Sequence, residues 1–407
     1  MAKPKCPNFL REVPGGVTAP CGFTAFGVRC GIKRRGSDLA LIYSVSPAAS
    51  AGVFTTNCFQ AAPVLVTKQR VGRADTQAIV VNSGNANACT GDQGYRDALA
   101  MAELAASAVG IPARSALVCS TGIIGRTLPM DKISEGIQKC AASLHPEGGE
   151  KAAKAILTTD KRPKSISVEF DLDGRPVRVG GMAKGAGMIG PSMATMLSFI
   201  TTDADLTPAL LQSCLATAAD RTFNRILVDG DTSTNDTVLL LANRQAEAGK
   251  VTRRHGLSRF GTALEYVASC LAYEIVRDGE GASKLIEIRV RNAASEKDAL
   301  KIGRTIAGSP LVKTALGGGD PNWGRILAAA GRSGVRFRPE LVDLILGGVE
   351  VVRGGAACDF NEKKAAASVA ASEIQVTLDL NAGKEEATVL TCDLTAAYVR
   401  LNSLYHT

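Results

Sequence analysis

A threonine in the middle of the chain stands where self-cleavage would turn it into a nucleophile. Thr195 follows a glycine-rich, proline-interrupted run that begins at Lys184 and reads KGAGMIGPSMA. Cleavage between Ala194 and Thr195 would leave the threonine with a free α-amine beside its hydroxyl. Such an amine has a pKa of roughly 7.7–8.0, so it can accept the hydroxyl proton near neutral pH. Thr195 is therefore a candidate nucleophile, and the alternative is an ordinary strand residue, since a strand is predicted over 196–202.

Two further segments contain groups that suit acyl transfer. Thr121 and Gly122 follow the apolar run SALVC, where a threonine hydroxyl and a glycine amide can donate hydrogen bonds to an oxyanion. One such donor contributes on the order of 3 kcal/mol in a transition state; the alternative is a plain surface turn. Asp278 and Glu280 alternate with glycines after a predicted helix. There a carboxylate either belongs to the helix end or pairs with a substrate ammonium.

The acidic segment VDGDTSTNDT, residues 228–237, is the best place to look for a metal site. An EF-hand loop that began at Asp229 would need glycine at its sixth position and glutamate at its twelfth, and these positions hold Thr234 and Leu240. We therefore expect no metal and interpret the segment as a hydrogen-bonded turn network that lines the site or supports it. None of the three histidines stands in a metal-ligand spacing.

A glycine-rich segment at 316–326, LGGGDPNWGRI, resembles a phosphate-binding loop only loosely. It lacks the Gly-x-x-x-x-Gly-Lys-Ser/Thr pattern, and it connects two predicted helices instead of a strand and a helix. A nucleotide-binding protein without enzymatic activity is the weakest of our hypotheses, and a single uncut polypeptide would favour it. Trp323 is interpreted as packing this loop.

The amino-acid composition limits the classes of function that this chain can have. The chain has 407 residues, 45% hydrophobic and 21% charged, which is typical of a globular protein of two or three folding units. Its net charge of +8 is dispersed and only 4% of residues are aromatic, so we expect no nucleic-acid surface. No apolar run of about 18 residues predicts a membrane span. Eleven cysteines without a Cys-x-x-Cys pair and the lack of an apolar leader indicate a cytoplasmic protein with reduced thiols.

The elements that must position these groups alternate between strands and helices. A hairpin is predicted over 165–182, with Asp173-Gly174 as its turn, and its second arm leads into Lys184. Thr207 and Pro208 have the types that begin a helix. The pattern predicts an α+β or layered α/β fold, with strands at 76–82, 115–119, 196–202, 285–291, 374–380 and 386–393, and helices at 96–109 and 261–277. The 115–119 strand is expected to end in a turn at 120–122.

Together these segments resemble the ornithine acetyltransferase family, the glutamate N-acetyltransferases of arginine biosynthesis. The likeness spans nearly the whole chain and is most specific at KGAGMIGPSMATML. Ala186 and Ser192 depart from the serine and asparagine that many relatives have there, which bears on the rate of cleavage more than on its position. The segments are GVFTTN at 52–57, VNSGNANACTG at 81–91, STG at 120–122, KGAGMIGPSMATML at 184–197, VDGDTSTNDT at 228–237, DGEGASK at 278–284, GDPNWGRI at 319–326 and the final YVRLNSLYHT.

The resemblance implies a layered αββα sandwich that cleaves itself between Ala194 and Thr195. The products would be an α chain of residues 1–194 and a β chain of residues 195–407, assembled as an α2β2 heterotetramer. The loop at 278–284 suggests a smaller C-terminal α/β subdomain over 285–407. No cofactor is implied, although acetyl-CoA is a possible acetyl donor.

The resemblance also implies the reaction and its residues. Thr195 would take the acetyl group from N-acetyl-L-ornithine and pass it to L-glutamate, with Thr121 and Gly122 as the oxyanion hole. The implied substrate contacts are Thr158, Lys184, Thr195, Glu280, Asn402 and Thr407. An aminopeptidase or amidase with the same self-cleaving architecture is the alternative, and release of free acetate instead of transfer to glutamate would favour it.

Overall fold

The computed structural model describes residues 4–190, 196–251 and 254–404. Within these ranges the chain forms a nine-stranded sheet, a seven-stranded sheet and a set of covering helices. The strands are β1 (Arg11–Glu12), β2 (Phe23–Val28), β3 (Leu39–Phe54), β4 (Thr76–Asn85), β5 (Ala116–Ile123), β6 (Lys164–Leu172), β7 (Arg175–Lys184), β8 (Leu197–Thr202), β9 (Ile226–Leu227), β10 (Thr237–Ala242), β11 (Leu285–Ala293), β12 (Asp343–Leu346), β13 (Val349–Arg353), β14 (Ala356–Ala357), β15 (Glu373–Asp379) and β16 (Glu385–Cys392). The helices are α1 (Ala62–Arg70), α2 (Gly91–Ala108), α3 (Met130–Ala142), α4 (Gly149–Ala155), α5 (Pro208–Arg221), α6 (Arg254–Arg277), α7 (Glu296–Ala307), α8 (Pro310–Gly317), α9 (Trp323–Gly331), α10 (Glu362–Ala370) and α11 (Ala396–Leu404).

The larger sheet has the order β1-β6-β7-β8-β10-β3-β4-β5, with β2 added beside β3. The long strand β3 joins its two halves, because residues 39–43 pair with β4 and residues 49–54 pair with β10. Between these two stretches the pairing register shifts. The two halves pack face to face through a shared hydrophobic cluster, to which β2, β4 and β5 contribute from one half and β7, β8 and β10 from the other.

Side chains that alternate along the strands separate the hydrophobic layers. Ala40 and Ile42 of β3 face the cluster between the two halves, whereas Leu39 and Leu41 face α2 and α3. In the other half, alternate residues of β10 such as Leu240 pack against α5 and α6. The layers therefore run helix, sheet, sheet, helix, which confirms the predicted αββα sandwich.

The seven-stranded sheet has the order β14-β13-β12-β15-β11-β16-β9 and forms the smaller C-terminal unit. Its core is separate from those of the sandwich and includes residues of α7, α8, α9 and α10. One strand, β9, comes from before residue 285 and pairs with β16. Trp323 at the start of α9 packs partly buried against this core.

Several predictions about single elements are confirmed and one is wrong. The hairpin β6–β7 turns at Asp173 and Gly174, which both have positive φ, and the Thr207 side chain accepts a hydrogen bond from Leu210 N at the start of α5. The predicted turn at 120–122 is instead part of β5, because these residues pair with 82–84 of β4. No helix in the described ranges is both long and apolar enough to cross a membrane.

Candidate active site

A cavity of about 200 Å³ lies where the ends of β5 and β7 meet the loops before β10 and after α6. It brings together six of the predicted site residues from distant parts of the chain. These are Thr121, Gly122, Thr158, Lys184, Glu280 and Asn402. The other three, Ala194, Thr195 and Thr407, lie outside the described residues.

The end of β5 is fixed by buried polar contacts. Asn235 Nδ2 donates to the carbonyl oxygens of Ala86 and Ser120 at 2.7 and 2.8 Å, and Ser120 Oγ donates to Asn82 Oδ1 at 2.5 Å. Gly122 has a φ of 134°, and a Cβ there would lie 2.3 Å from the carbonyl carbon of Gly84. Only glycine fits this backbone. The amide that follows Thr121 is therefore held in one place, as an oxyanion donor must be.

Lys184 is the last residue of β7 and is almost completely buried. Its Nζ donates to Thr121 Oγ1 over 3.4 Å, and no carboxylate of the described residues lies within ion-pair distance of it. Burial lowers the pKa of Lys184, whereas the nearby carboxylates of Asp160, Asp236 and Glu280 act to raise it. The amine thus borders the cavity, with both carboxylates and lysines nearby and without an ion pair to a described carboxylate.

The 228–237 segment holds the chain on both sides of residues 191–195. On one side, the Asp229 carboxylate accepts hydrogen bonds from Met188 N and Ile189 N at 2.7 and 2.8 Å. On the other side, Asp236 Oδ1 accepts from Met196 N at 3.1 Å. Burial raises the pKa of Asp236 well above its ordinary value, and its Oδ2 has no hydrogen-bond partner among the described residues. The segment thus lines the cavity and holds the chain beside it, and its part in a functional site stays a prediction.

The opposite wall of the cavity comes from the loop after α6 and from α11. Glu280 N donates to Ala186 O at 2.8 Å, so the loop is tied to the run that follows β7. Asn402 Nδ2 donates to Glu280 Oε2 at 2.9 Å, and Tyr398 OH lies 3.4 Å from Asp229 Oδ2. Helix α11 thus reaches the cavity through two side chains of its inner face.

Some cavity residues were not predicted as site residues. Asp229, Asp231, Ser233 and Asn235 belong to the acidic segment, whose density of polar residues was the available signal. For Tyr398, the only signal in the sequence is that it is an aromatic residue near the end of the chain. The glycine-rich segment 316–326 connects α8 to α9 and does not line this cavity. Within the described ranges, no cluster of three or more histidine, cysteine or acidic side chains is suited to hold a metal.

Comparison with known proteins places the chain in a family. The sequence model of the ArgJ family matches residues 24–407. A protein of Symbiobacterium thermophilum named arginine biosynthesis bifunctional protein ArgJ is 52% identical, over 98% of this chain and 100% of its own. The chain belongs to the ArgJ family. The resemblance found in its motifs is thereby confirmed.

Other relatives agree in name. The ArgJ bifunctional protein of Oceanobacillus iheyensis is 47% identical over 97% of each chain. Among solved structures, an ornithine acetyltransferase from Mycobacterium tuberculosis complexed with ornithine is 42% identical, covering 45% of this chain and 98% of its own with a TM-score of 0.42. An ArgJ structure from Bacillus halodurans is also 42% identical, with coverages of 46% and 97% and a TM-score of 0.43.

Proposed function

We propose that this ArgJ-family chain transfers an acetyl group from N-acetyl-L-ornithine to L-glutamate, through an acetyl ester on Thr195. The single observation that carries the proposal is the cavity, which collects six predicted site residues in a chain of this family. Thr195 first becomes a nucleophile by cleavage of the bond to Ala194. Its new α-amine then serves as the base for its own hydroxyl.

The chemistry proceeds in two acyl-transfer steps. In the first, Thr195 Oγ attacks the acetyl carbonyl, and the amide of Gly122 with the hydroxyl of Thr121 stabilises the oxyanion. Collapse breaks the amide bond, and ornithine leaves with the proton held by the Thr195 amine. In the second step the amine of glutamate attacks the ester and regenerates Thr195. The two steps together replace one difficult acetyl exchange by two easier acyl transfers.

The charges of the cavity suit both ends of an amino acid. Lys184 is a cation when protonated and lies without a close carboxylate, so it can bind the carboxylate of the substrate. Glu280 faces it from the other wall and can bind an ammonium group, with Asn402 orienting its Oε2 at 2.9 Å. The substrate would therefore lie across the cavity between these two walls.

We also propose acetyl-CoA as a second acetyl donor, because the relatives most similar in sequence are named bifunctional proteins. Incubation with acetyl-CoA and glutamate should then release free thiol and form N-acetylglutamate. Transfer from N-acetylornithine alone would identify an enzyme that only recycles acetyl groups. The proposed setting is the cytoplasm, and the proposed assembly is an α2β2 heterotetramer, which light scattering with denaturing mass analysis can test.

The decisive test is the Thr195→Ala variant. We expect a single uncut polypeptide without transferase activity, because the substitution removes the hydroxyl needed for both cleavage and acyl transfer. Intact mass and N-terminal sequencing of the purified protein measure the cut, and an acetyl-transfer assay measures the activity. Thr217→Ala is the matched control, since Thr217 lies exposed on α5 and should remain cut and active. Two fragments from Thr195→Ala would contradict the proposal.

A further inference from the structure

Three charged side chains are buried together beside the cavity. Lys164 Nζ lies 2.7 Å from Asp160 Oδ1 and 2.7 Å from Asp278 Oδ2, and the exposed fractions of the three side chains are 0%, 0% and 2%. Removing such charges from water costs free energy, and a well-packed apolar group of similar size often serves stability as well or better. The cluster therefore calls for an explanation other than stability alone.

Asp160 connects the cluster to two cavity residues. Its Oδ2 accepts a hydrogen bond from the backbone N–H of Thr158 at 3.1 Å. Its Oδ1 accepts from Gly185 N at 2.7 Å, the residue directly after Lys184. One carboxylate thus fixes the backbone at both Thr158 and Lys184, which face the cavity from different elements.

Asp278 connects the cluster to the opposite wall. Its Oδ2 accepts from Lys161 N at 3.0 Å as well as from Lys164, and Glu280 follows two residues later. Lys164 is therefore the only residue of the described part that forms ion pairs with both aspartates. Through them it links the strand that ends at Lys184 to the loop that carries Glu280.

The cluster also sets the charge around Lys184. Burial acts to raise the pKa of Asp160, but Lys184 and Lys164 lower it, and the result is a pKa of about 2. Burial lowers the pKa of Lys184, Asp160 acts to raise it, and Lys164 acts to lower it further. Asp160 thus interacts with Lys164 and Lys184, and it also acts on Lys33. The other charged groups that act on Lys184 are Lys33, Asp236 and Glu280.

We propose that Lys164 is a positioning residue of the acetyl-transfer site. By joining Asp160 to Asp278 it holds Thr158, Lys184 and Glu280 in one arrangement, and it limits how much of the Asp160 charge reaches Lys184. This inference rests on the proposed function, in which the Lys184 cation binds the substrate carboxylate. Nothing in the sequence motifs assigns such a role to Lys164.

The test is the pH dependence of kcat/KM for acetyl transfer, whose basic limb, under the proposed role of Lys184, reports loss of its proton in the free enzyme. Asp160→Asn removes the anion but keeps an acceptor for Gly185 N, so the basic limb should move down by roughly 1 pH unit. Lys164→Met combined with Asp278→Asn removes the cation that is ion-paired with Asp160, so more of the Asp160 charge acts on Lys184. Its basic limb should move up by roughly 1 pH unit.

Opposite shifts distinguish this role from a structural one, because loss of folded protein lowers the whole profile without moving its limb. Each variant has its own predicted direction of pH shift. If one variant fails to fold, the other alone still tests the proposal. Lys164→Arg keeps the cation, so its basic limb should lie at the same pH as that of the wild type. Lys154→Met, in an exposed pair with Glu150, is the surface control and should match wild type.

The outcomes separate the two proposals. If the wild-type protein transfers no acetyl group, the proposed function fails. If the wild type is active and both cluster variants keep its limb, or move it in the same direction, the role of Lys164 is overturned. A moved limb in Lys164→Arg would overturn it as well.

Discussion

The two walls of the cavity are built differently. The strand wall consists of Thr121, Gly122 and Lys184, which lie buried or half-buried at the ends of β5 and β7 within the continuous sheet. The helix wall consists of Glu280, which is buried in the loop after α6, and of Tyr398 and Asn402 on α11, a helix in which no described residue is buried. Groups on a packed sheet are positioned more rigidly than groups on a surface helix. The groups proposed for the reaction chemistry thus lie on the rigid wall, whereas the side chains of α11 can adjust to the substrate.

The largest expected effect comes from the strand wall, with Gly122→Ala. A Cβ at Gly122 would collide with the backbone of Gly84 and force the Gly122 amide away from the proposed oxyanion position, so kcat should fall by about 100-fold or more. Steady-state kinetics with intact-mass analysis of the cut would measure it. Gly261→Ala in α6 meets no atom within 4 Å and is the matched control. A Gly122→Ala enzyme with wild-type kcat would contradict the rigid-wall assignment.

The second-largest effect is expected for Lys184→Met. A hydrogen bond to a charged group contributes roughly 1.5–3 kcal/mol, so kcat/KM should fall by roughly 10- to 100-fold. Isothermal titration of ornithine into the variant would show whether the loss lies in binding. Unchanged ornithine affinity would exclude Lys184 as the carboxylate contact.

The next effect is a loss of stability in acid through Asp160, which holds the backbone directly after Lys184 of the strand wall. The pKa of Asp160 is about 2 in the folded protein against an ordinary 3.8. Because the folded pKa is the lower one, the carboxylate stabilises the fold above pH 3.8, and this contribution is lost as the pH falls toward 2. The loss in free energy of unfolding should be ~2 kcal/mol. Denaturant unfolding at several pH values would measure it, and Asp160→Asn should lack this component of the acid dependence.

The smallest effect is expected on the helix wall, with Asn402→Ala. The hydrogen bond to Glu280 Oε2 is partly buried and is donated by the neutral, solvent-exposed Asn402, and its loss should cost about 1 kcal/mol, or roughly fivefold in KM, with kcat nearly unchanged. Kinetics with varied N-acetylornithine would separate the two constants. A fall in kcat as large as that of Gly122→Ala would remove the distinction between the walls.

The sequence predicted local elements better than the contacts between them. The β6–β7 hairpin and the start of α5 followed from turn and capping residues that act over a few positions. The turn expected at 120–122 was wrong because strand pairing with β4 overrides the local preference of Ser-Thr-Gly. The Lys164 cluster could not be predicted, since its ion pair with Asp278 joins residues 114 positions apart. Family resemblance supplied the cavity residues that spacing alone could not connect.

The strand order of the larger sheet has a consequence for the cleavage proposed between Ala194 and Thr195. Strands β8 and β10, which follow residue 195, lie between β7 and β3, which precede it, and pair with both through backbone hydrogen bonds. Two halves synthesised separately would each present unpaired strand edges, the surfaces on which chains aggregate. Under the proposed cleavage, folding would therefore come first and scission second. The interleaved strands would then hold the two products together through backbone hydrogen bonds.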